Sequence, residues 1–367
     1  MAQFPTVTAD ELRRMLSLNQ KVNVVDIRPT EERSEWFIPG SIHFDAYERL
    51  KKHDPSALDL INLDKNVPIV TVCAGGKTSL IAAEILREKG YNASSLLNGM
   101  KGWSLSWNTA FRKFDGFEIW QVRRTGKGCL SYIISSNKEA LIVDASLPVE
   151  VYADMINGEN LKVKYVLDTH IHADHLSRSR ELAKYFNAPF YLPKNKKVQF
   201  EYGQIVNGLE FKIGNTLLKS MATPGHTTES TSFYIENEVL FTGDTLFTNA
   251  IGRPDLKSNA EETRQKAHLL FQSLQFMLSF PDSVLVLPGH ANKPIEFDNK
   301  MVMTTIGEAK ENIHMLKQGE NDFVNSVLNK IPPSPANFLT IIEKNIEGDY
   351  SGVNPLELEA GANRCAI

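Results

Sequence analysis

Along the first hundred residues, short apolar runs of strand length alternate with helix-periodic segments. Thr8 stands before Asp10, Glu11 and an apolar-periodic run reaching Leu16, which predicts a helix with a capped N-terminus. KVNVVDIR at 21–28 and VPIVTVC at 67–73 read as strands, the second apolar enough to be buried on both faces. SLIAAEILREKG follows, with Ile81/Ile85 and Ala82/Leu86 spaced i, i+4 and Gly90 where such a helix stops. ASSLLNGM at 93–100 gives a further strand and a turn. This alternation predicts an open parallel α/β sheet with helices on both faces.

The pattern changes at WSLSWNTAFRKFDG, 103–116, where aromatic, polar and basic residues mix without period. From 117 onward the chain is written in closely spaced short strands: FEIWQVRR, CLSYIIS, EALIVDA, KVKYVLDTH, APFYLP, LEFKIG, TLLKSMATP, TSFYIEN, EVLFTGD and SVLVLPGH. Helical segments are expected at 177–186, 261–279 and about 302–317. Many strands with a few interleaved helices predict two sheets covered by helices. The expected division is a first domain at 1–108, a linker at 109–116, a second domain at 117–300, and an extension at 301–367 packed on the second domain.

With 40 basic and 44 acidic residues in 367, and no long block of one sign, nothing supports a general nucleic-acid or anionic-membrane role. No run approaches a membrane span and the first residues do not read as a secretory signal. Three cysteines, Cys73, Cys129 and Cys365, are too few for a disulfide framework and fit a reducing compartment, so a cytoplasmic location is expected. Cys129 reads as core and Cys365 as structural.

The chemistry concentrates in His170-Ile171-His172-Ala173-Asp174-His175, directly after a predicted strand. Three further candidate ligands lie downstream at strand-end turns: Pro224-Gly225-His226, Thr242-Gly243-Asp244 and Pro288-Gly289-His290. A glycine before each permits a tight turn or close backbone approach. Two metal arrangements follow from these seven residues. In one, His170, His172 and His226 hold one ion, Asp174, His175 and His290 hold a second, and Asp244 bridges two Zn or Fe ions that activate hydroxide against an ester or thioester. In the other, His170, His226 and Asp244 form a 2-His-1-carboxylate face with positions left open, the geometry of non-haem Fe(II) oxygenases.

The order HxHxDH, His, Asp, His resembles the metallo-β-lactamase fold superfamily over roughly 116–300, which implies an αββα sandwich with metal at one sheet edge. DTHIHADHLSRSRELA, TPGHTTESTSFYI and FTGDTLF with IGRPDL resemble its persulfide dioxygenase branch. That resemblance implies one Fe(II) per chain on His170, His226 and Asp244. His172, Asp174, His175 and His290 then hold water and hydrogen bonds around it, and Arg253 contacts an anionic substrate. PDLKS after Arg253 departs from the pattern of the glutathione-persulfide enzymes, which leaves the carrier thiol open.

Cys73 ends an apolar strand and opens CAGGKTS before a helix, where free backbone N–H groups stabilise an anionic sulfur. VVDIRPTEERSEWFIPGSIHFD, the six-residue loop from Cys73 to Thr78, and LLNGMKGW resemble a rhodanese domain over roughly 5–108. The resemblance implies that Cys73 carries sulfane sulfur in a cradle of Gly75, Gly76 and Lys77. Ala74 and Thr78 replace the arginines common in such loops. Lys77 is the loop's remaining cation, which disfavours thiosulfate relative to thiol persulfides.

The expectation is therefore a two-domain α/β enzyme. It oxidises a low-molecular-weight thiol persulfide with O₂ to sulfite and thiol, with sulfur passed through Cys73 and hydrogen sulfide metabolism as the setting. Thiosulfate or sulfite are further small partners, no nucleic acid or membrane is involved, and homo-oligomerisation is left open. The alternatives are a dinuclear thioesterase of the glyoxalase II kind, and a sulfur carrier with a non-catalytic metal domain.

Overall fold

The computed structural model describes residues 5–362 and 364–367. In the first domain β1 (Thr6–Val7), β2 (Asn23–Asp26), β3 (Ile42–His43), β4 (Ile69–Val72) and β5 (Ala93–Leu96) form a parallel sheet in the order β1-β5-β4-β2-β3. Strand side chains alternate between its faces. Val25 and Ile69 pack with Ala82, Ala83 and Leu86 of the helix Lys77–Glu88. Val24, Val70 and Val72 pack on the other face with Leu12 and Trp103. Thr8 caps the helix Ala9–Ser17, its side chain accepting from the Glu11 N–H while Glu11 reaches back.

Two more sheets follow. The first comprises β6 (Asn108–Lys113), β7 (Glu118–Arg123), β8 (Leu130–Ser136), β9 (Glu139–Val143), β10 (Lys162–Leu167), β11 (Phe190–Pro193) and β12 (Gly203–Ile205), side by side in chain order. The second comprises β13 (Glu210–Ile213), β14 (Thr216–Ala222), β15 (Thr231–Ile235), β16 (Val239–Gly243), β17 (Leu285–Pro288) and β18 (Thr304–Thr305), again in chain order. Ile119, Tyr132, Leu141 and Leu167 of one sheet meet Phe211, Leu218, Phe233 and Phe241 of the other in a shared core. The outer face of the first is covered by the helices Val149–Gly158 and Ser179–Phe186. The outer face of the second is covered by Ala260–Met277, Ile306–Asn312 and Glu320–Asn329. This is the expected αββα sandwich.

The aperiodic stretch 109–116 is not a linker. Asn108–Lys113 is β6, antiparallel to β7, with Phe111 against Trp120 at 4.9 Å between ring centroids. Its polar, basic composition suits an edge strand facing solvent, which is why it shows no core periodicity. The run at 302–317 begins as β18 and continues as a helix and a 3₁₀ turn, His314–Lys317. The C-terminal extension also holds an unforeseen helix, Phe338–Glu347, and contacts both domains. Asn354, Leu356 and Glu357 line the Cys73 cavity, and Glu357 pairs with Lys101. Among the described residues no helix is long and apolar enough to cross a membrane.

Candidate metal centre and cysteine pocket

The seven candidate ligands meet at one edge of the sandwich, each beyond the end of a strand: the HxHxDH segment after β10, His226 after β14, Asp244 after β16 and His290 after β17. Backbone proximity makes this possible. A Cβ on Gly289 would lie 2.6 Å from Asp244 Oδ1, and Gly243 turns with φ +50 against Thr169. Cys129 forms a β-bridge with His290, stitching the two sheet edges together.

The ligands divide. His170, His226 and Asp244 form one buried group, with Asp244 Oδ2 3.9 Å from His170 Nε2 and 3.6 Å from His226 Nε2. Proton bookkeeping around it fixes the tautomers. His226 Nδ1 donates to the Arg253 carbonyl at 2.8 Å, so Nε2 carries the lone pair. Thr169 Oγ1 has one hydrogen and donates it to Asp144 Oδ2 at 2.8 Å, so at His170, 2.8 Å away, it accepts from Nδ1–H. His170 Nε2 is then also a lone pair. Burial, and then the neighbouring His172, hold His170 well below the ordinary imidazole range, which keeps it neutral. His170 Nε2 and Asp244 Oδ2 are buried without any hydrogen-bond partner. Two imidazole nitrogens and a carboxylate oxygen, of which His170 Nε2 and Asp244 Oδ2 are unsatisfied, fit a divalent metal ion.

The second group is Cys129, Asp174, His175 and His290. Here the groups satisfy one another. His290 reaches Asp244 Oδ1 with Nδ1 at 2.6 Å and Asp174 Oδ2 with Nε2 at 2.8 Å. Burial alone would lower His290, but the Asp174 and Asp244 carboxylates outweigh it and raise it well above the usual range. His290 is thus a cation donating from both nitrogens. The Cys129 thiol donates to Asp174 Oδ2 at 3.3 Å, and His175 Nδ1 lies 3.1 Å from Asp174 Oδ1. His175 Nε2 alone of that imidazole is left without a partner. His172 belongs to neither group. Its Nε2 lies 3.3 Å from Asp144 Oδ1, in a third cluster with Asp168.

Arg253 is not available to a substrate. It is fully buried, and its guanidinium donates to both Asp255 oxygens, at 2.8 and 2.7 Å, and to the carbonyls of Pro332, Pro333 and Arg364. All five donors are used. The residue ties down the C-terminal extension, and its carbonyl orients His226. Two cysteines read as bland are also at the centre: Cys129 beside Asp174, and Cys365 within the cluster of Asp244 and His290. The terminal residues reach it because Ala366 bridges to Gly252 and Ile367 exchanges hydrogen bonds with Ile251. Asp144 carried no motif, and Thr169, although inside the DTHIHADH stretch, was given no role there; only their place at strand ends beside His170 marked them.

In the first domain Cys73 Sγ accepts from the N–H of Gly76 at 3.1 Å and of Ser79 at 3.4 Å, with Ser79 Oγ at 3.2 Å. Gly99 must be glycine, since a Cβ there would lie 2.2 Å from the Cys73 carbonyl. Gly75 and Lys77 line a cavity of about 460 Å³ with Cys73, and Lys101 adds a second cation that the loop alone did not reveal.

Residues 124–290 match the model of the metallo-beta-lactamase superfamily, and residues 8–106 match the rhodanese-like domain. The probable polyketide biosynthesis zinc-dependent hydrolase BaeB of Bacillus velezensis is 30% identical over 203 residues, 53% of this chain and 84% of that protein. The chain belongs to the metallo-beta-lactamase superfamily. Its superfamily domain follows a rhodanese-like domain in one chain. Glyoxylase B2 of Dictyostelium discoideum is 31% identical over 42% of this chain, which spans 58% of that relative's length. Among solved structures, ETHE1 from Myxococcus xanthus is 26% identical with a TM-score of 0.53, covering 62% of this chain and 95% of that one. A metallo-beta-lactamase from Staphylococcus aureus subsp. aureus COL is 25% identical with a TM-score of 0.59, covering 65% and 75%.

Proposed function

We propose that the protein is a persulfide dioxygenase holding one Fe(II) on His170, His226 and Asp244, with a sulfur-carrying Cys73 in its rhodanese-like domain. The observation that carries the reading is the division of the seven ligands. His170 Nε2 and Asp244 Oδ2 stand unsatisfied in one group with His226, while in the second group His290 spends both ring nitrogens on Asp174 and Asp244. His172 and His175 Nε2 also lack hydrogen-bond partners but lie outside the triad. The likeness to ETHE1 and the persulfide dioxygenase motifs of the sequence support it.

Ferrous iron would supply the O₂ chemistry, with open coordination positions for oxygen and a sulfur anion. The chain's own residues set the conditions. The Asp144–Thr169–His170 relay and the Arg253 carbonyl aim two imidazole lone pairs at one point. His290 holds Asp244 Oδ1, so that Oδ2 alone faces the triad. At the other centre, the N–H groups of Gly76 and Ser79 stabilise charge on Cys73 Sγ. A thiol persulfide RSSH meeting the Cys73 thiolate would transfer its outer sulfur, leaving RS⁻ and a Cys73 persulfide, a redox-neutral exchange.

The competing reading is a dinuclear hydrolase. It is favoured by the second donor set around Asp174 and by relatives named zinc-dependent hydrolase and Glyoxylase B2. Metal analysis paired with oxygen-electrode assays separates them. About one iron per chain and O₂ uptake on a thiol persulfide support the proposal. Two zinc ions with thioester cleavage undiminished under argon would overturn it.

A further inference from the structure

A second cavity of about 460 Å³ lies beside the triad, lined by Ile171 and Thr227, the immediate chain neighbours of His170 and His226. Lys194, Lys196, Lys197, Lys257 and Lys266 line it too. The carboxylates among its lining residues are Glu229 and Glu262, so the cavity carries an excess of three positive charges in a chain whose net charge is −4. Its apolar lining is Ile171, Leu256, Leu269, Ile342 and Ile346.

We propose that this cavity binds a low-molecular-weight thiol bearing phosphate groups, its apolar arm against the isoleucines and leucines and its phosphates among the lysines. The inference rests on the persulfide reading of the metal centre, and names the carrier that reading leaves open.

Charge decides between carriers. Glutathione has about one net negative charge at pH 7, from two carboxylates and an ammonium. Its own ammonium would sit among lysines. A phosphate monoester carries about −1.5 to −2 and a phosphodiester about −1, so a thiol with one of the first and one or two of the second, about −2.5 to −4, matches the excess. The residue type agrees. Among the described residues no arginine lines the cavity, and lysine binds phosphate as a point charge, whereas carboxylate recognition favours the guanidinium fork. Lys266 is buried under this surface and burial pushes it down to about 8. An anion in the cavity would hold it protonated.

The test titrates coenzyme A and glutathione, as thiols rather than persulfides, into the iron-loaded full-length protein by calorimetry. Binding is then read without turnover. Coenzyme A is expected to bind at least about tenfold more tightly in 0.1 M salt, and the gap to shrink in 1 M salt as the Debye length falls from about 10 to about 3 Å. Lys196 and Lys197 are exposed, so the K196E/K197E variant keeps its fold, checked by its circular dichroism. It should lose about tenfold in coenzyme A affinity and little for glutathione, and K196R/K197R should restore binding. Equal affinity for the two thiols, or a preference indifferent to the charge reversal, overturns the proposal. O₂ uptake is measured separately. Lysine-dependent coenzyme A binding with no O₂ uptake on its persulfide keeps the anion site and removes the dioxygenase reading. Uptake on both persulfides, unaffected by the lysine variants, does the reverse.

Discussion

Thr169→Val tests the relay that aims His170. The threonine hydroxyl has one hydrogen, given to Asp144, and it accepts from His170 Nδ1–H. Valine keeps the shape and packing against Gly243 but removes both bonds. A buried imidazole N–H then lacks a partner, a cost of about 1–3 kcal/mol. The ring is also freed to rotate or to place its proton on Nε2, where it cannot ligate. Loss of such an orienting partner typically lowers metal affinity by about 10–100-fold, which is about 1.4–2.7 kcal/mol. The assay is anaerobic competition for Fe(II) between the full-length protein and a chelator of known affinity. Thr169→Ser retains the hydroxyl and should restore affinity to within about threefold of the parent. A Thr169→Val protein that keeps iron within about twofold of the parent would show that the relay does not orient the ligand.

Glu359→Ala should cost about 3–5 kcal/mol in urea unfolding, because Arg124 is fully buried against it at 2.7 Å and would keep an uncompensated charge; a loss below about 1 kcal/mol would mean that the charge is satisfied elsewhere. Cys73→Ser should abolish sulfur transfer between thiols while sparing O₂ uptake on a ready-made persulfide, and loss of both would show that the two centres are inseparable. Lys266 is depressed to about 8 by burial, against the partial support of Glu229, Asp255 and Glu262 facing it. Between about 8 and its ordinary 10.5 the unfolded chain binds the extra proton, so folding stability should rise with pH there, and Lys266→Met should flatten that rise. Denaturation midpoints at pH 8 and pH 10 that move equally in parent and variant would refute the assignment.

The fold and the gathering of the seven candidate ligands at one edge were legible because both are written locally. Strand-length apolar runs gave the sheets, and the ligands stand in motifs at the strand ends, so HxHxDH, PGH and TGD could be read without knowing what lay between them. What stayed hidden depends on contacts far apart in the chain. An edge strand such as β6 buries too little to show a period. Arg253 matched a motif, yet its partners Pro332, Pro333 and Arg364 lie about 80 to 111 residues away. Cys129 and Cys365 looked inert because a thiol's surroundings are set by which strands pair, and the His290 bridge and the Ile251 pairing bring them to the carboxylates.

The C-terminal extension shows what this distance means for the site. Its last stretch, 347–367, has little periodicity, yet the extension clamps the candidate ligand loop from outside. Asn345 donates to the carbonyls of His172 and His175 at 2.9 Å each and accepts from the Ser177 N–H at 2.9 Å. Glu359 accepts from the Leu176 N–H at 3.1 Å while pairing with Arg124 and Arg178. A tight loop of alternating ligands cannot satisfy its own backbone groups, since its turns leave carbonyls and N–H groups pointing outward. The partners come from more than 160 residues downstream. The same extension places Glu357 at the rim of the Cys73 cavity. The segment whose Asn345 and Glu359 hold the candidate ligand loop therefore also supplies Glu357 to the cysteine cavity, so one structural support reaches both sites.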